Sequence, residues 1–283
     1  MARISSLNVL LTTTGKDYLA EQYGAVVENV QKNCISQQLK NKNLSGDPEA
    51  GSLEAKRFAN TTSNAYGTAR AAGKGAAAEV KPVTVQIDQD KEIVVEVENK
   101  DVSLYGVDAF VEREAANAEK SMTRELERAF FSEAATHGQT FTATAQTADG
   151  IMEELIQSVE TVQNDFVDGV ERDMIAVVCA PATYGALRSY FDKVQDGGAH
   201  GESFGTFHGV NVFSSIYLPQ GINAIAMAEG SVAQPVKVTK YEAERVPLSN
   251  AIAIDLFYSY GSKAVADDLI YVYGTPTTTT TGA

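Results

Sequence analysis

Residues 83–131 read VTVQIDQDKEIVVEVENKDVSLYGVDAFVEREAANAEKSMTRELERAFF, and two periodicities meet inside that stretch. Val83, Val85 and Ile87 alternate with polar residues, and Ile93, Val95 and Val97 do the same beyond the DQDK run. Side chains two apart share one face of a strand, so the pattern predicts a β-hairpin with one buried face. The period then changes. Val111, Ala115, Ala118, Met122, Leu126, Ala129, Phe130 and Ala134 recur every three or four residues, which predicts a helix over 108–136 with one apolar stripe. At 1.5 Å per residue that helix is a rod about 43 Å long. Asp108 is the expected N-cap, and His137-Gly138 the expected stop. The opposite face carries Glu112, Arg113, Glu114, Glu119, Lys120, Arg124, Glu125 and Arg128. It reads as solvated or ion-paired rather than catalytic.

Upstream of the hairpin, residues 15–39 carry a helical pattern through Leu19, Tyr23, Val26, Val27, Val30, Cys34 and Ile35. Between that helix and Val83 the periodicity disappears for some forty residues, Lys40 to Lys81. Connections inside a compact domain usually take about 4–6 residues, so a gap this long is either functional or disordered. Leu44, Leu53, Phe58 and Tyr66 punctuate it as isolated anchors, which a purely disordered linker would mostly lack. Within it, YGTARAAGKGAAA at 66–78 suggests a phosphate cradle, but Thr68 stands where a Walker A loop needs its first glycine. Gly75 replaces the magnesium-binding hydroxyl, and no apolar strand enters the loop, so nucleotide binding is set aside.

Downstream, a second amphipathic helix is expected from about 150 to 165, then a buried strand MIAVVC at 174–179. Pro181 opens a third helix, in the first turn where proline costs no donor. Residues 196–206 form a glycine-rich loop. VNVF, AIAMA, VKVTKYEA, AIAIDLFYSY and LIYVY follow as short strands rich in β-branched and aromatic residues, and TPTTTTTGA ends the sequence as a low-complexity tail.

The composition narrows the function classes. The chain has 283 residues and a net charge of −14, which disfavours nonspecific nucleic-acid binding. The charge is uneven: residues 1–81 hold 10 basic against 7 acidic residues, and residues 82–283 hold 13 against 30. Cys34 and Cys179 are far apart and form no C-x-x-C, so neither a disulfide framework nor a thiolate metal site is indicated. No segment reaches the roughly 20 apolar residues of a membrane span, and no signal peptide is recognisable, so a soluble intracellular protein is expected.

Candidate chemistry is sparse. Gly201 to Gly205 matches G-x-S-x-G around Ser203, the motif of a soluble esterase, but no strand enters it and no acid precedes a later histidine. His200, Glu202 and His208 have no metal-ligand spacing, and Asp88, Asp90 and Glu92 lack the glycine and distant glutamate of a calcium loop. The adjacent pairs Asp267-Asp268 and Glu153-Glu154 point apart. No enzymatic activity, cofactor or metal is therefore expected.

The order of parts carries more than any motif. An arm helix, a long loop, VTVQIDQDKEIVVEVENKDVSLYGVDAFVEREAANAEKSMTRELERAFF, MIAVVCAPATYGALRSYF, FGTFHGVNVFSSIYLP and LFYSYGSKAVADDLIYVYG follow one another over residues 15–275. That succession resembles the major capsid proteins of tailed bacteriophages, the Hong Kong 97-type fold. The resemblance implies an α+β fold with an N-terminal arm (1–42) and an extended loop (43–81). It also implies a peripheral domain with a long spine helix (82–147 and 231–260) and an axial domain (148–230 and 261–283). The implied function is self-assembly, through pentamers and hexamers, into an icosahedral head enclosing double-stranded DNA without specific binding. Implied partners are a separate scaffolding protein, a portal and a decoration protein, with assembly in the bacterial host cytoplasm and residence in the virion. Arg57, Tyr66, Arg70 and Lys74 on the extended loop would meet the acidic body of the adjacent subunit. A crosslink of the kind some relatives make would draw on Lys56 or Lys74 and on Asn250. The alternative carrying the same fold is an encapsulin-type nanocompartment, which encloses enzyme cargo.

Overall fold

The computed structural model describes residues 6–61, 63, 65–66, 79–102, 106–194 and 205–276. Its helices are α1 (Thr13–Asn33), α2 (Ile35–Leu39), α3 (Asn99–Val102), α4 (Val107–His137), α5 (Ala148–Glu160) and α6 (Pro181–Val194). The strands up to the first long helix are β1 (Leu44–Ser45), β2 (Ser52–Phe58), β3 (Val80–Gln86) and β4 (Gln89–Val97). Those of the six-stranded sheet and its approaches are β5 (Gln139–Phe141), β6 (Ile175–Cys179), β7 (Thr206–Phe207), β8 (Val210–Ser214) and β9 (Ile222–Ala228). The last are β10 (Val232–Ala233), β11 (Val236–Arg245), β12 (Ile252–Tyr260), β13 (Lys263–Ala264) and β14 (Ile270–Gly274).

Two bodies share α4. Its first turns, through Val111, Ala115, Ala118, Met122 and Leu126, pack with Leu19, Tyr23, Val26 and Val30 of α1. Both helices lie against the antiparallel sheet β11-β12-β4. The sequence IAIDLFYSY of β12 buries every second residue, Ile252, Ile254, Leu256, Tyr258 and Tyr260, so one face meets the helices and the other faces outward. The last turns of α4 reach a second body: Phe130, Phe131 and Ala134 pack on the six-stranded sheet β5-β14-β9-β6-β8-β7. In the middle of that sheet all five residues of β6 are buried. Ile175, Val177 and Cys179 face Met152, Leu155, Ile156 and Val159 of α5 and Leu187 of α6, while Ala176 and Val178 face α4. Strands β6 and β8 are parallel neighbours, joined by a crossover that contains α6. A residue run buried on both faces reads as continuous apolar sequence, which is why IAVVC shows no alternation.

Several expectations are corrected. Residues 83–97 are two strands but not a hairpin: β3 pairs with β2, whereas β4 pairs with β12. The chain changes sheets at Ile87-Asp88, passing close enough to Gly261 that a Cβ there would lie 1.7 Å from the Gln86 carbonyl oxygen. The arm is two helices, broken at Cys34, which is extended. The break is held by Glu127 of α4, a carboxylate only 4% exposed. It accepts the Ile35 N–H at 2.9 Å and the Ser215 hydroxyl at 3.0 Å. Helix α4 starts after Gly106 with no side-chain cap, not at Asp108, and stops at Gly138 as expected. Helix α5 ends at Glu160, short of 165. Among the described residues no helix is long and apolar enough to cross a membrane.

Candidate assembly hairpin and its anchor

Two strands of the aperiodic stretch, β1 and β2, join β3 in a third sheet, β1-β2-β3. Leu44 pairs with Ala55, and β2 and β3 pair from Ser52 with Gln86 to Phe58 with Val80. At its foot, Gly51 in the left-handed region (φ 77) turns the chain into β2, and its carbonyl accepts the Ile87 N–H at 2.8 Å. Leu53, Ala55 and Arg57 point to one side of the ribbon and Glu54, Lys56 and Phe58 to the other. The inward side is apolar at its base, where Ala55 and Val85 pack with Ala233 and Val265. Glu49, just before the turn, receives Lys237 of β11 at 2.7 Å.

Farther out the ribbon is fixed by charge. Arg57 points inward with 12% of its side chain exposed and forms a bidentate pair with Asp268, at 2.5 and 2.6 Å. Its guanidinium lies 4.8 Å from the centroid of the Phe166 ring. Asp268 also accepts from the Asn164 amide, and Asn164 Oδ1 accepts the N–H groups of Phe166 and Val167 at 2.9 and 3.0 Å. The 164–168 turn and the segment preceding β14 thus form one receptor for Arg57. Burial opposes the charge on Asp268, but the Arg57 hydrogen bond and charge outweigh it, and the carboxyl titrates below its ordinary value. The Asn60 N–H donates to the Asp165 carbonyl at 2.8 Å, and the Ala59 N–H to the Glu79 carbonyl at 3.0 Å, holding both strands at this point.

The outer face is different. Phe58 is 64% exposed and Val80, its cross-strand partner, 41%; Tyr66 beyond them is 94% exposed. Apolar side chains paired directly across a ribbon form one continuous patch.

Of the expected contact residues, Arg57 is engaged with Asp268 of its own chain. Tyr66 stands out from the surface, and Arg70 and Lys74 lie outside the described residues. Ser203, His200 and Glu202 lie outside them too, so the esterase motif has no described geometry. His208 is described; with φ 46 it stacks on Phe207, and its Nδ1 sits 2.9 Å from Glu153. Glu153 also takes Arg172 at 2.5 Å, which in turn holds Glu160 at 3.1 Å. The Arg172 hydrogen bond is the main reason the Glu153 carboxyl is pulled down to about 2, against the opposing effect of burial. Neighbouring Glu154 instead accepts from Thr144 and Ala145, so the paired acids diverge as their spacing implies. Burial pushes the Cys34 thiol up to about 11 and the Cys179 thiol to about 12, leaving both poor nucleophiles. Among the described residues no group of His, Cys, Asp and Glu could hold a metal.

No protein-family model and no curated protein matches this sequence. Solved structures do. The capsid of cyanophage P-SCSP1u superposes with a TM-score of 0.60 at 14% identity, covering 87% of this chain and 89% of that one. A structure from Mycobacterium phage Che8 matches with a TM-score of 0.58 at 18% identity, over 79% and 84% of the two chains. The fold is that of tailed-phage capsid proteins. A virus-like particle from Pyrococcus furiosus shares this Hong Kong 97-type fold, with a TM-score of 0.57 at 11% identity over 91% of this chain and 99% of that one. Within the fold, the long helix α4 runs through both bodies, and the β2–β3 ribbon lies against the second of them through Arg57 and Asn60.

Asp268, Asn164 and Phe166 were not legible as anchor residues, because Arg57 and Asp268 are 211 positions apart. The available signal was the alternation of Leu53, Ala55 and Arg57, which marks a strand whose third inward residue is charged.

Proposed function

We propose that this chain is the major capsid protein of a tailed bacteriophage. It assembles with itself, as pentamers and hexamers, into the icosahedral head shell enclosing double-stranded DNA. In this reading residues 1–42 are the arm, 43–81 the extended loop, 82–147 with 231–260 the peripheral domain, and 148–230 with 261–283 the axial domain. The observation that carries it is the β2–β3 ribbon, bolted to its own body on one face and presenting Phe58 and Val80 on the other. A surface built this way suits a neighbouring copy, and Tyr66, Arg70 and Lys74 are assigned to that contact. Each contact can be weak, because every subunit is held by several neighbours. A separate scaffolding protein, a portal and a decoration protein complete the head in the host cytoplasm. The chain has no catalytic role. With a net charge of −14 it confines DNA rather than binding it, so free duplex DNA at physiological salt should show no retardation with the purified subunit.

Electron microscopy of the protein produced in bacteria, alone and with a scaffolding protein, tests the reading. Closed shells of uniform diameter are expected. A chain that stays monomeric under every condition overturns it. The match to the Pyrococcus furiosus particle over 99% of that chain supports a second reading, an encapsulin-type nanocompartment. The contents of shells recovered from the native source separate the two: packaged DNA supports the phage head, and a protein cargo the compartment.

A further inference from the structure

We infer that Arg57 acts within its own chain as the positioning residue of the assembly hairpin, fixing the direction in which the ribbon leaves the subunit. This rests on the shell reading above for its consequence, but not for its geometry. Below Arg57 the ribbon is held at its foot by apolar packing of Ala55 and Val85 against Ala233 and Val265, with the Lys237–Glu49 ion pair beside it. Arg57 supplies a second fixed point farther out, with the Asn60–Asp165 backbone bond next to it, and two separated points set an angle. The guanidinium is well suited to that task. A planar fork bound at both nitrogens resists twisting as well as translation, which a single ammonium would not. Phe166 beneath it and Asn164 beside its carboxylate restrict the plane further. The ladder places Lys81 directly opposite Arg57, and like charges there would push the strands apart without Asp268. Backbone bonds from Asn60 to Asp165 and from Ala59 to Glu79 lie one turn of the ladder farther out, so the hairpin is directed just where its exposed patch begins. A shell needs neighbouring hairpins to meet their targets in the same geometry at every copy, and an unfixed angle spreads that geometry.

Charge exchange distinguishes a contact made within one chain from one made between chains. The variants are Arg57→Asp, Asp268→Arg, the double exchange in one chain, and a co-expressed mixture of the two single variants. Each single change is expected to lower the yield of closed, uniform shells by about tenfold or more, the scale of losing one charge-assisted bidentate contact. The double exchange should recover most of that yield, and the mixture should not, because neither chain in it holds an opposite pair. Recovery in the mixture equal to that in the double exchange would assign Arg57 to a neighbouring subunit and overturn the inference. Arg57→Gln, which keeps the length and removes the charge, covers the case in which the aspartate variant fails to fold. Wild-type yield and diameter for Arg57→Gln would also overturn it. Limited proteolysis of the unassembled subunit provides a readout independent of shells: Arg57→Gln should speed cleavage within residues 59–79 about tenfold, while the thermal midpoint falls by only about 2–4 °C. An unchanged cleavage rate contradicts the clasp itself, whereas faster cleavage in a chain that never assembles leaves the clasp standing and removes the shell reading.

Discussion

Strand β6 buries all five of its residues, whereas strand β3 buries one of its seven. Both belong to antiparallel or mixed sheets of one chain, yet they satisfy different conditions. The six-stranded lobe is complete: each face of β6 is covered by helices of the same subunit. The ribbon is half complete. Its inner face closes on Ala233, Val265 and Asp268, and its outer face closes on nothing among the described residues. The six-stranded lobe thus closes its faces within the subunit, whereas the ribbon leaves Phe58 and Val80 exposed. Substitutions that sort cleanly between these two outcomes test the comparison.

The largest effect is expected in the lobe. Phe130 is fully buried and meets Phe131 edge-on at 5.6 Å, at the point where α4 leaves the first body and enters the second. Phe130→Ala should cost about 3–5 kcal/mol, removing the ring and leaving a cavity. Chemical denaturation of the unassembled subunit should show a lower midpoint with both bodies affected, because they share this helix.

Next comes the crossing between sheets. Gly261→Ala places a Cβ on the Gln86 carbonyl, which must move for the residue to fit. A cost of about 1–3 kcal/mol is expected, the range for forced overpacking. Here the comparison sharpens: the displaced backbone is the end of β3, so ribbon protection from hydrogen exchange should fall more than that of β6.

A smaller effect follows from acid. The folded pKa of Glu153 lies near 2, below its ordinary 4.5, chiefly through the Arg172 hydrogen bond. A carboxyl lowered on folding contributes stability above its unfolded value and loses it as pH falls through the folded one. Thermal stability should thus decline from pH 4.5 toward pH 2, and Glu153→Gln should flatten that decline while lowering stability at neutral pH. Ribbon cleavage by protease should not follow this profile, since Glu153 ties α5 to the β7–β8 turn in the lobe.

The two regions were also unequally legible in the sequence. In the bodies, periodicity sufficed: the apolar stripe of α4 and the alternation of β12 recur in the buried residues. Glu127 escaped because nothing near it in sequence shows that an interrupted helix 92 residues away needs a carboxylate. In the ribbon the same reasoning misassigned β3. Alternation at Val83 and Val85 identified a strand and its inward face, but local pattern says nothing about which strand lies alongside, and the adjacent β4 was the wrong partner. The choice was made by Ala233 and Val265, far along the chain. On β2 the hydrophobic signal was thin, since its inward residues are a leucine, an alanine and an arginine whose partner carboxylate arrives only at position 268.

Phe58 should give the smallest change in the subunit and the most telling one in the assembly. Its ring is 64% exposed and stands opposite Val80 in the ladder, so Phe58→Ala should shift subunit stability by no more than about 0.5 kcal/mol. If the outer face is an interface, the same ring becomes buried when subunits meet, and its loss is repeated at every copy of the shell. A Phe58→Ala, Val80→Ala chain should therefore keep the denaturation midpoint of the parent, yet sediment mainly as unassembled subunit under conditions that close the parent into shells. Lys56, which shares that face, offers an internal control: Lys56→Ala removes a solvated charge and a flexible stem but no aromatic or branched anchor, and should assemble nearly as the parent does. Equal assembly of all three chains would mean that the exposed patch is ordinary solvated surface and that association is carried elsewhere. Loss in the double variant alone would tie the incomplete face of the ribbon to the contact between copies.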